Sequence, residues 1–310
     1  MSVAEVKRLL EGRFGGAMRQ DASLADFTTF RIGGPAGLLL FPKGLEDLVM
    51  LGKAVAETGV EFMVLGRGSN VLVSDQGFPG VIAVLGKGLG RIKIKGKDEI
   101  DAEAGCELDR LISHCIEEGL GGLEHLAGIP GTLGGAVRMN AGALGAPIGE
   151  RVETVSVLRL EGGEVKSREL TASSINFRYR ETDIGDNEII YEVKLRLYKE
   201  EKAKLKLNRK EALEWRKKRQ PLRQPSAGSV FRNPEGVSAG ELIERCGLKG
   251  MRAGNAVISE KHANFIVNLG GARAADVYEL IRVVKEKVLK EEGIELREEI
   301  KFVGVRGDEE

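Results

Sequence analysis

Two glycine-dense clusters set the narrowest limits on what this chain can become. Gly66-Arg67-Gly68-Ser69-Asn70 follows an apolar run, and Gly128-Ile129-Pro130-Gly131-Thr132-Leu133-Gly134-Gly135-Ala136 stands further along. Glycine lets the backbone take positive φ and come close to a ligand, so that successive amide groups converge on a pyrophosphate. Pro130 suits the first turn of a helix running to about Asn140, whose unpaired N-terminal amides would add a favourable dipole. Either cluster alone also fits a tight turn between two elements; two in one chain point to an anion. A Rossmann-type fold is the obvious competitor. It fails on context, because Gly66-Arg67-Gly68-Ser69-Asn70 lacks the third glycine and leads into further strand instead of a helix and an acidic ribose reader. A GxxxxGK[ST] loop is missing as well, which argues against a nucleoside triphosphatase.

Around these clusters the chain reads as a mixture of helices and mostly antiparallel strands, an α+β protein. A short N-terminal helix is followed by strand-like runs (LLLF, FMVLG, NVLVSD, GVIAVLG) and one helix over residues 45–57, where Leu48, Val49, Leu51 and Val55 share a face. RIKIKGKDEIDAEAG has the alternation and central turn of a hairpin, and residues 107–118 follow as a helix. VETVSVLRLEGGEV and EIIYEVKLRLYKE extend a sheet to about Glu200. A polar helix over residues 202–218 leads into QPLRQPSAGS, which marks a boundary. Beyond it come a helix near residues 238–246, the strands AVIS and ANFIVNLG, a helix with Val277, Leu280, Ile281, Val284 and Val288 at helical spacing, and the closing strand EEIKFVGV. At about 100–200 residues per domain, 310 residues hold two or three units. The expected division is 1–85, 86–200 and 201–310.

Composition removes several classes of function. Lys plus Arg and Asp plus Glu both number 47, so the molecule lacks the cationic field that non-specific nucleic-acid binding relies on. Cys106, Cys115 and Cys246 are odd in number and unpaired in spacing, which fits a reducing cytoplasm better than a disulfide framework. No run of about eighteen apolar residues occurs, and the N-terminus is amphipathic with mixed charge, so neither a membrane span nor a signal peptide is expected. Three histidines, His114, His125 and His262, show no metal-ligand spacing, and no metal is expected.

At this point the segments become specific. TTFRIGGPA (residues 28–36), LGRGSNVLVSDQGFPGV (65–81) and AGIPGTLGGAVRMNAGALG (127–145) resemble the FAD-binding half of the UDP-N-acetylenolpyruvoylglucosamine reductase family. The resemblance implies a two-subdomain FAD-binding fold of the vanillyl-alcohol-oxidase/PCMH type with a C-terminal α+β substrate-binding domain. It implies that Leu65, Gly66, Arg67, Gly68, Ser69, Asn70 and Leu72, together with Ile129, Pro130, Gly131, Thr132, Gly134, Gly135 and Ala136, line non-covalent FAD. Asn140 and Gly142 would lie close to the flavin. Leu144 departs from the tyrosine common in the family and affects local flavin packing. With little room for an inserted loop after EIIYEVKLRLYKE, the chain resembles the shorter type of the family.

The same resemblance singles out Arg180 in FRYRET, Ser229 in PSAGSVFRNP and Glu299 in REEIKFVG. Taken alone, each is an ordinary residue: a surface cation, a turn serine and a water-facing glutamate. As a set they imply reduction of UDP-N-acetylglucosamine enolpyruvate by NADPH through FAD, yielding UDP-N-acetylmuramate. Arg180 would pair with the substrate carboxylate, Glu299 would stabilise the enolate-like charge if burial keeps it protonated, and Ser229 would deliver the proton. Arg232, Asn233 and His262 would meet the sugar nucleotide, and Lys217 with residues 219–223 the uridine diphosphate, although that basic stretch also reads as a solvated helix end. A monomer is expected. Two other functions compete: oxidation of an alcohol or lactone on the same flavin fold, and a nucleotide-binding regulator without chemistry. Neither gives a reason for Arg180, Ser229 and Glu299 to occur together.

Overall fold

The computed structural model describes residues 2–304. In chain order its helices are α1 (Val3–Leu10), α2 (Leu45–Thr58), α3 (Leu108–Glu117), α4 (Leu133–Arg138), α5 (Lys202–Arg219), α6 (Ala239–Arg245) and α7 (Ala274–Glu292). The strands of the first half are β1 (Ala17–Ser23), β2 (Pro35–Phe41), β3 (Phe62–Leu65), β4 (Val71–Val73), β5 (Phe78–Val84), β6 (Ile92–Lys95), β7 (Glu99–Glu103), β8 (Leu120–Gly121), β9 (Gly142–Ala143) and β10 (Ala146–Pro147). Those of the second half are β11 (Val152–Glu161), β12 (Glu164–Thr171), β13 (Glu188–Arg196), β14 (Tyr198–Lys199), β15 (Arg252–Ala253), β16 (Ala256–Ile258), β17 (Ile266–Asn268) and β18 (Lys301–Val303). Among the described residues no helix is long and apolar enough to cross a membrane.

The chain forms two compact units that interleave in sequence. Unit 1 takes the chain up to Gln20, then Gly37–Arg67 and Gly80–Glu214; unit 2 takes Asp21–Ala36, Gly68–Pro79 and the chain from Trp215 onward. Two separate hydrophobic cores follow this division. Linear boundaries at residues 85 and 200 are not the ones that packing draws, because short stretches flanking the first glycine cluster pack with the C-terminal third.

Unit 1 holds a five-stranded sheet in the order β12-β11-β13-β7-β6, antiparallel throughout, and a second sheet in the order β1-β2-β5-β3 with β3 and β5 parallel. VETVSVLRLEGGEV, an alternating run in the sequence, forms the β11–β12 hairpin around Gly162 and Gly163, both at positive φ. Helix α2 buries Leu48, Leu51, Ala54 and Val55. It lies so close to the sheet that a Cβ on Gly52 would come 2.9 Å from the Leu160 side chain. Leu108, Leu111, Ile112, Cys115 and Ile116 of α3 are also buried, each large apolar chain contributing about 1.5–3 kcal/mol of transfer free energy.

Unit 2 is built from short elements. β15, β16 and β17 make a small antiparallel sheet, and β18 pairs in parallel with β4, so the closing strand of the sequence joins residues that directly follow the first glycine cluster. Helix α7 buries Val277, Leu280, Ile281, Val284 and Val288 and stops at Gly293 in the left-handed region. The Asp75 carboxylate accepts the first amides of α7, from Ala274 at 2.8 Å and Ala275 at 3.1 Å.

Asn268, buried at the end of β17, is the polar pin of this unit. Its Nδ2 donates to the carbonyls of Phe30 at 3.0 Å and Arg31 at 3.3 Å, while its Oδ1 accepts from Gly270 at 2.8 Å and Ala272 at 3.1 Å. An Asn268→Leu substitution strips partners from all four main-chain groups, so equilibrium denaturation should show a loss of about 2–4 kcal/mol. Unchanged stability would mean these bonds are replaced by water at no cost.

Candidate functional site

In unit 1 the start of the first glycine cluster meets the second. A Cβ built on Gly66 would lie 2.4 Å from Thr132 Oγ1, so the closeness of the two backbones depends on glycine at 66. Leu65, at the end of β3, is buried just before it, and Arg67 pairs with Glu107 at 3.0 Å beside the segment 129–132. Ile129 packs against the core of unit 1, and Pro130 is exposed.

The second cluster differs from the sequence expectation in how it presents amides. Helix α4 begins at Leu133, not at Pro130, because Thr132 is the N-cap and its hydroxyl accepts from Gly135. The amide of Leu133 donates to Cys106 O at 2.8 Å and that of Gly134 to Ala104 O at 2.8 Å. The first turn of α4 is therefore spent on the neighbouring chain, and the helix terminus does not display its amides to an anion. Gly134 is glycine for packing, since its Cβ would sit 2.8 Å from that of Ala104. Gly135 is different: a Cβ there would meet only Thr132 Oγ1, at 3.5 Å. An exposed glycine that the protein itself does not require leaves a smooth face for a ligand's close approach. Ala136 beside it is buried.

The C-terminal end of α4 organises the next part of the site. Arg138 donates to the carbonyls of Ile184 at 2.6 Å, Gly185 at 2.9 Å and Glu188 at 2.6 Å, and its own carbonyl accepts from the Thr182 hydroxyl at 2.9 Å. Asn140 is buried with φ of 40°; its Nδ2 donates to Arg178 O at 2.9 Å and its Oδ1 accepts from Gly149 at 3.1 Å. Arg180, with φ of 58°, donates from Nη1 to Gly142 O at 2.9 Å and lies over the Tyr179 ring. Between them Leu144 tops the β9–β10 turn at φ of 53° and 61 % exposed. Three of the five non-glycine residues with positive φ among those described, Asn140, Leu144 and Arg180, thus belong to this one cluster. Such residues cost on the order of 1–3 kcal/mol each and persist where surrounding structure forces them.

Gly68, Ser69, Asn70 and Leu72 belong to unit 2. Gly68 is at φ of 59°, where a Cβ would lie 2.3 Å from Phe27 O, and its carbonyl accepts from Thr29, so the TTFRIGG segment packs directly under it. Leu72 is fully buried in the core of this unit. The Asn70 side chain donates to Glu299 O at 3.1 Å, and its carbonyl accepts from Lys301 at 2.9 Å.

Ser229 and Glu299, distant in sequence, lie on adjoining backbone. Glu299 N donates to Val230 O at 2.7 Å, Arg232 N donates to Arg297 O at 2.9 Å, and Phe231 bridges Glu298. Gly228, at φ of 80°, supplies the turn into Ser229. Asn233 Oδ1 accepts from Ala239 N, helping to start α6. His262 packs against Phe265, and its Nδ1 accepts from Asn264 N at 3.3 Å. Burial, reinforced by the Lys249 charge, holds the His262 pKa below the ordinary imidazole value. Arg180 belongs to unit 1, and Ser229 and Glu299 to unit 2.

Sequence reasoning gave Arg138, Asn264 and Asn268 no role. Their signal is hidden because each side chain addresses main-chain groups, which leave no mark in side-chain spacing. Among the described residues no group of three metal-ligating side chains forms a metal site.

Comparison with known proteins matches residues 36–167 to the FAD binding domain and residues 220–303 to the C-terminal domain of UDP-N-acetylenolpyruvoylglucosamine reductase. The enzyme of that name from Syntrophus aciditrophicus is 40 % identical over 306 residues, covering 97 % of both chains. The one from Chloroherpeton thalassium is 42 % identical over 312 residues, covering 98 % of this chain and 97 % of its own. The crystal structure of the Thermus caldophilus enzyme aligns with a TM-score of 0.80 at 37 % identity, covering 93 % of this chain and 98 % of that one. The FAD-binding fold with a distinct C-terminal domain, expected from the sequence, is the fold present.

The Gly66–Thr132 approach and the open face of Gly135 fit a dinucleotide cofactor. A Gly66→Ala substitution forces Thr132 aside, and the purified protein should retain markedly less flavin by visible absorbance at unchanged helix content; full retention would refute a role for this contact. For His262 the neutral ring is the folded form, so its stabilising contribution is complete above about pH 6.5 and declines as pH falls below it. Denaturation midpoints followed downward in pH should fall less steeply in His262→Gln than in the parent. His125, held low by burial too, retains a loss of the same sign in that variant.

Proposed function

The chain belongs to the UDP-N-acetylenolpyruvoylglucosamine reductase family, and from that premise we propose that it reduces UDP-N-acetylglucosamine enolpyruvate to UDP-N-acetylmuramate with NADPH. FAD, when bound, supplies the hydride, having received it from NADPH. Every other requirement falls on side chains and backbone of this chain.

Hydride addition to the terminal carbon of an enolpyruvyl ether leaves an enolate-like carboxylate dianion, whose charge must be stabilised before the neighbouring carbon takes a proton. Arg180 suits the carboxylate, because guanidinium stays charged and pairs bidentately through a planar fork. Its Nη1 bond to Gly142 O fixes one face of that fork. Glu299 assists as the neutral acid, donating a hydrogen bond to the developing charge. Ser229 Oγ–H gives its proton to the carbon, and the alkoxide left behind regains one from solvent. An alcohol is a weak acid, so the step depends on a strongly basic acceptor and a fixed donor. Arg232, Asn233 and His262, from the same unit as Ser229, are assigned to the sugar nucleotide, and Leu65–Arg67, Gly68–Asn70, Leu72, residues 129–136, Asn140 and Gly142 to FAD.

The observation that carries this reading is the 2.7 Å bond from Glu299 N to Val230 O, which fixes the backbone of a proposed acid beside that of a proposed proton donor. A nucleotide-binding regulator has no use for that arrangement.

Stopped-flow spectroscopy separates the half-reactions. NADPH should bleach the flavin of both the parent and Ser229→Ala, whereas substrate-dependent recovery of colour should slow by about 100-fold or more in the variant. Equal slowing of both half-reactions would remove Ser229 from the proton-transfer role, and a protein that cannot be reconstituted with FAD would end the whole proposal.

A further inference from the structure

Ser229 sits in a loop that contributes no regular strand of its own, yet its main chain is held on both sides. Upstream, Ser226 N donates to Thr29 O at 3.2 Å, the Thr29 hydroxyl donates to Ser226 O at 2.8 Å, and Pro225 O accepts from Asn268 N at 2.9 Å. Downstream the restraint comes mainly from one residue. Asn264, 3 % exposed, accepts from Val230 N through its own carbonyl at 2.9 Å. Its side chain then makes two further bonds to the next residue: Oδ1 accepts from Phe231 N at 2.9 Å, and Nδ2 donates to Phe231 O at 2.8 Å. A carboxamide engaging both main-chain groups of one residue acts as a strand partner compressed into a side chain. Val230, thus fixed, is the residue whose carbonyl accepts from Glu299 N. The free length between the two clamps is Ala227, Gly228 and Ser229.

We infer that Asn264 is a positioning residue for proton delivery: it sets the direction of the Ser229 hydroxyl, and through Val230 the backbone of Glu299, without touching substrate. The inference rests on the assignment of Ser229 as proton donor. Its physical basis is that a weak acid transfers a proton at a useful rate only from a held geometry, and a displacement of about 1 Å can cost 100-fold. Asn264 is well suited, because its buried amide has both hydrogen-bonding ends satisfied by the loop it aligns and so has one low-energy orientation. Asn264 is in turn held by the bend at residues 259–265. There Ser259 Oγ accepts from Lys261 N at 3.2 Å and His262 N at 3.4 Å, and Ser259 N donates to Phe265 O at 2.8 Å.

The test uses the FAD-loaded full chain. Asn264→Asp keeps the shape and the acceptor for Phe231 N but sets an oxygen against Phe231 O. Substrate-dependent flavin reoxidation should slow by about 10- to 100-fold, while reduction by NADPH stays within about twofold. In a Ser229→Ala background the same substitution should add little, since the group it aims is gone. Equal slowing of both half-reactions, or an undiminished effect in the Ser229→Ala background, would overturn the inference. If Ser229→Ala itself leaves reoxidation unchanged, the fault lies with the proton-donor assignment; if Ser229→Ala slows it and Asn264→Asp does not, the fault lies with the positioning role. Should Asn264→Asp not fold, Ser259→Ala loosens the same bend and should slow reoxidation in the same direction by a smaller factor, and no selective slowing there would count against Asn264.

Discussion

Main-chain groups in loops need partners as much as those in strands, and in this protein asparagine side chains provide them. Buried peptide groups left unpaired cost on the order of 1–3 kcal/mol each. The segments around the candidate site are rich in glycine and have little ladder of their own: β16, β17, β4 and β18 are each three residues long. Four carboxamides complete the pairing. Asn70 reaches Glu299 O; Asn140 joins Arg178 O to Gly149 N; Asn264 spans both groups of Phe231; Asn268 serves four peptide groups at once. Each of these links residues far apart in sequence or shapes a turn carrying a candidate catalytic residue. Asparagine suits the task because it is short, carries one strong acceptor and two donors, and tolerates positive φ, as Asn140 does.

This dependence explains which parts of the protein could be read from its sequence. Elements whose stability comes from a periodic apolar face were legible: α2, α3 and α7 carry their buried residues at helical spacing, and β6 with β7 alternates around an obvious turn. The pairing of β18 with β4 was not, since a three-residue parallel contact between chain segments so distant has no local signature. For the same reason the units interleave where a linear reading draws boundaries. Helix α4 was expected to start at Pro130; Thr132 outcompetes it because a hydroxyl at the N-cap satisfies an amide that proline's position cannot. For Asn70 and Asn140 the resemblance gave only a place beside the cofactor; the main-chain groups that their side chains pair with had no mark in the sequence.

The proposed anion cradle accordingly differs from the simple picture of a helix dipole aimed at a phosphate. The first three amides of α4 have protein partners, so a pyrophosphate held here as proposed would be left the backbone ahead of the helix and Gly66, with Arg67 nearby. Glycine performs different tasks across the two clusters. Gly66 admits Thr132, Gly134 admits Ala104, and a Cβ on Gly135 would meet nothing closer than Thr132 Oγ1 at 3.5 Å. Counting glycines identifies the region; asking what a Cβ would strike separates packing from recognition.

Strain and clamping meet at the turn containing Arg180. A long cation in the left-handed region would relax to ordinary backbone if its neighbours allowed it. They do not: Asn140 holds Arg178 O on one side, Arg138 grips Ile184, Gly185 and Glu188 on the other, and Gly142 O engages the guanidinium itself. Because these restraints come from α4 and the residues that follow it, the segment that shapes one glycine cluster also orients the arginine. A single short stretch, residues 129–142, thereby couples the proposed cofactor cradle to the arginine proposed to meet the carboxylate, and a change in its backbone is felt by both.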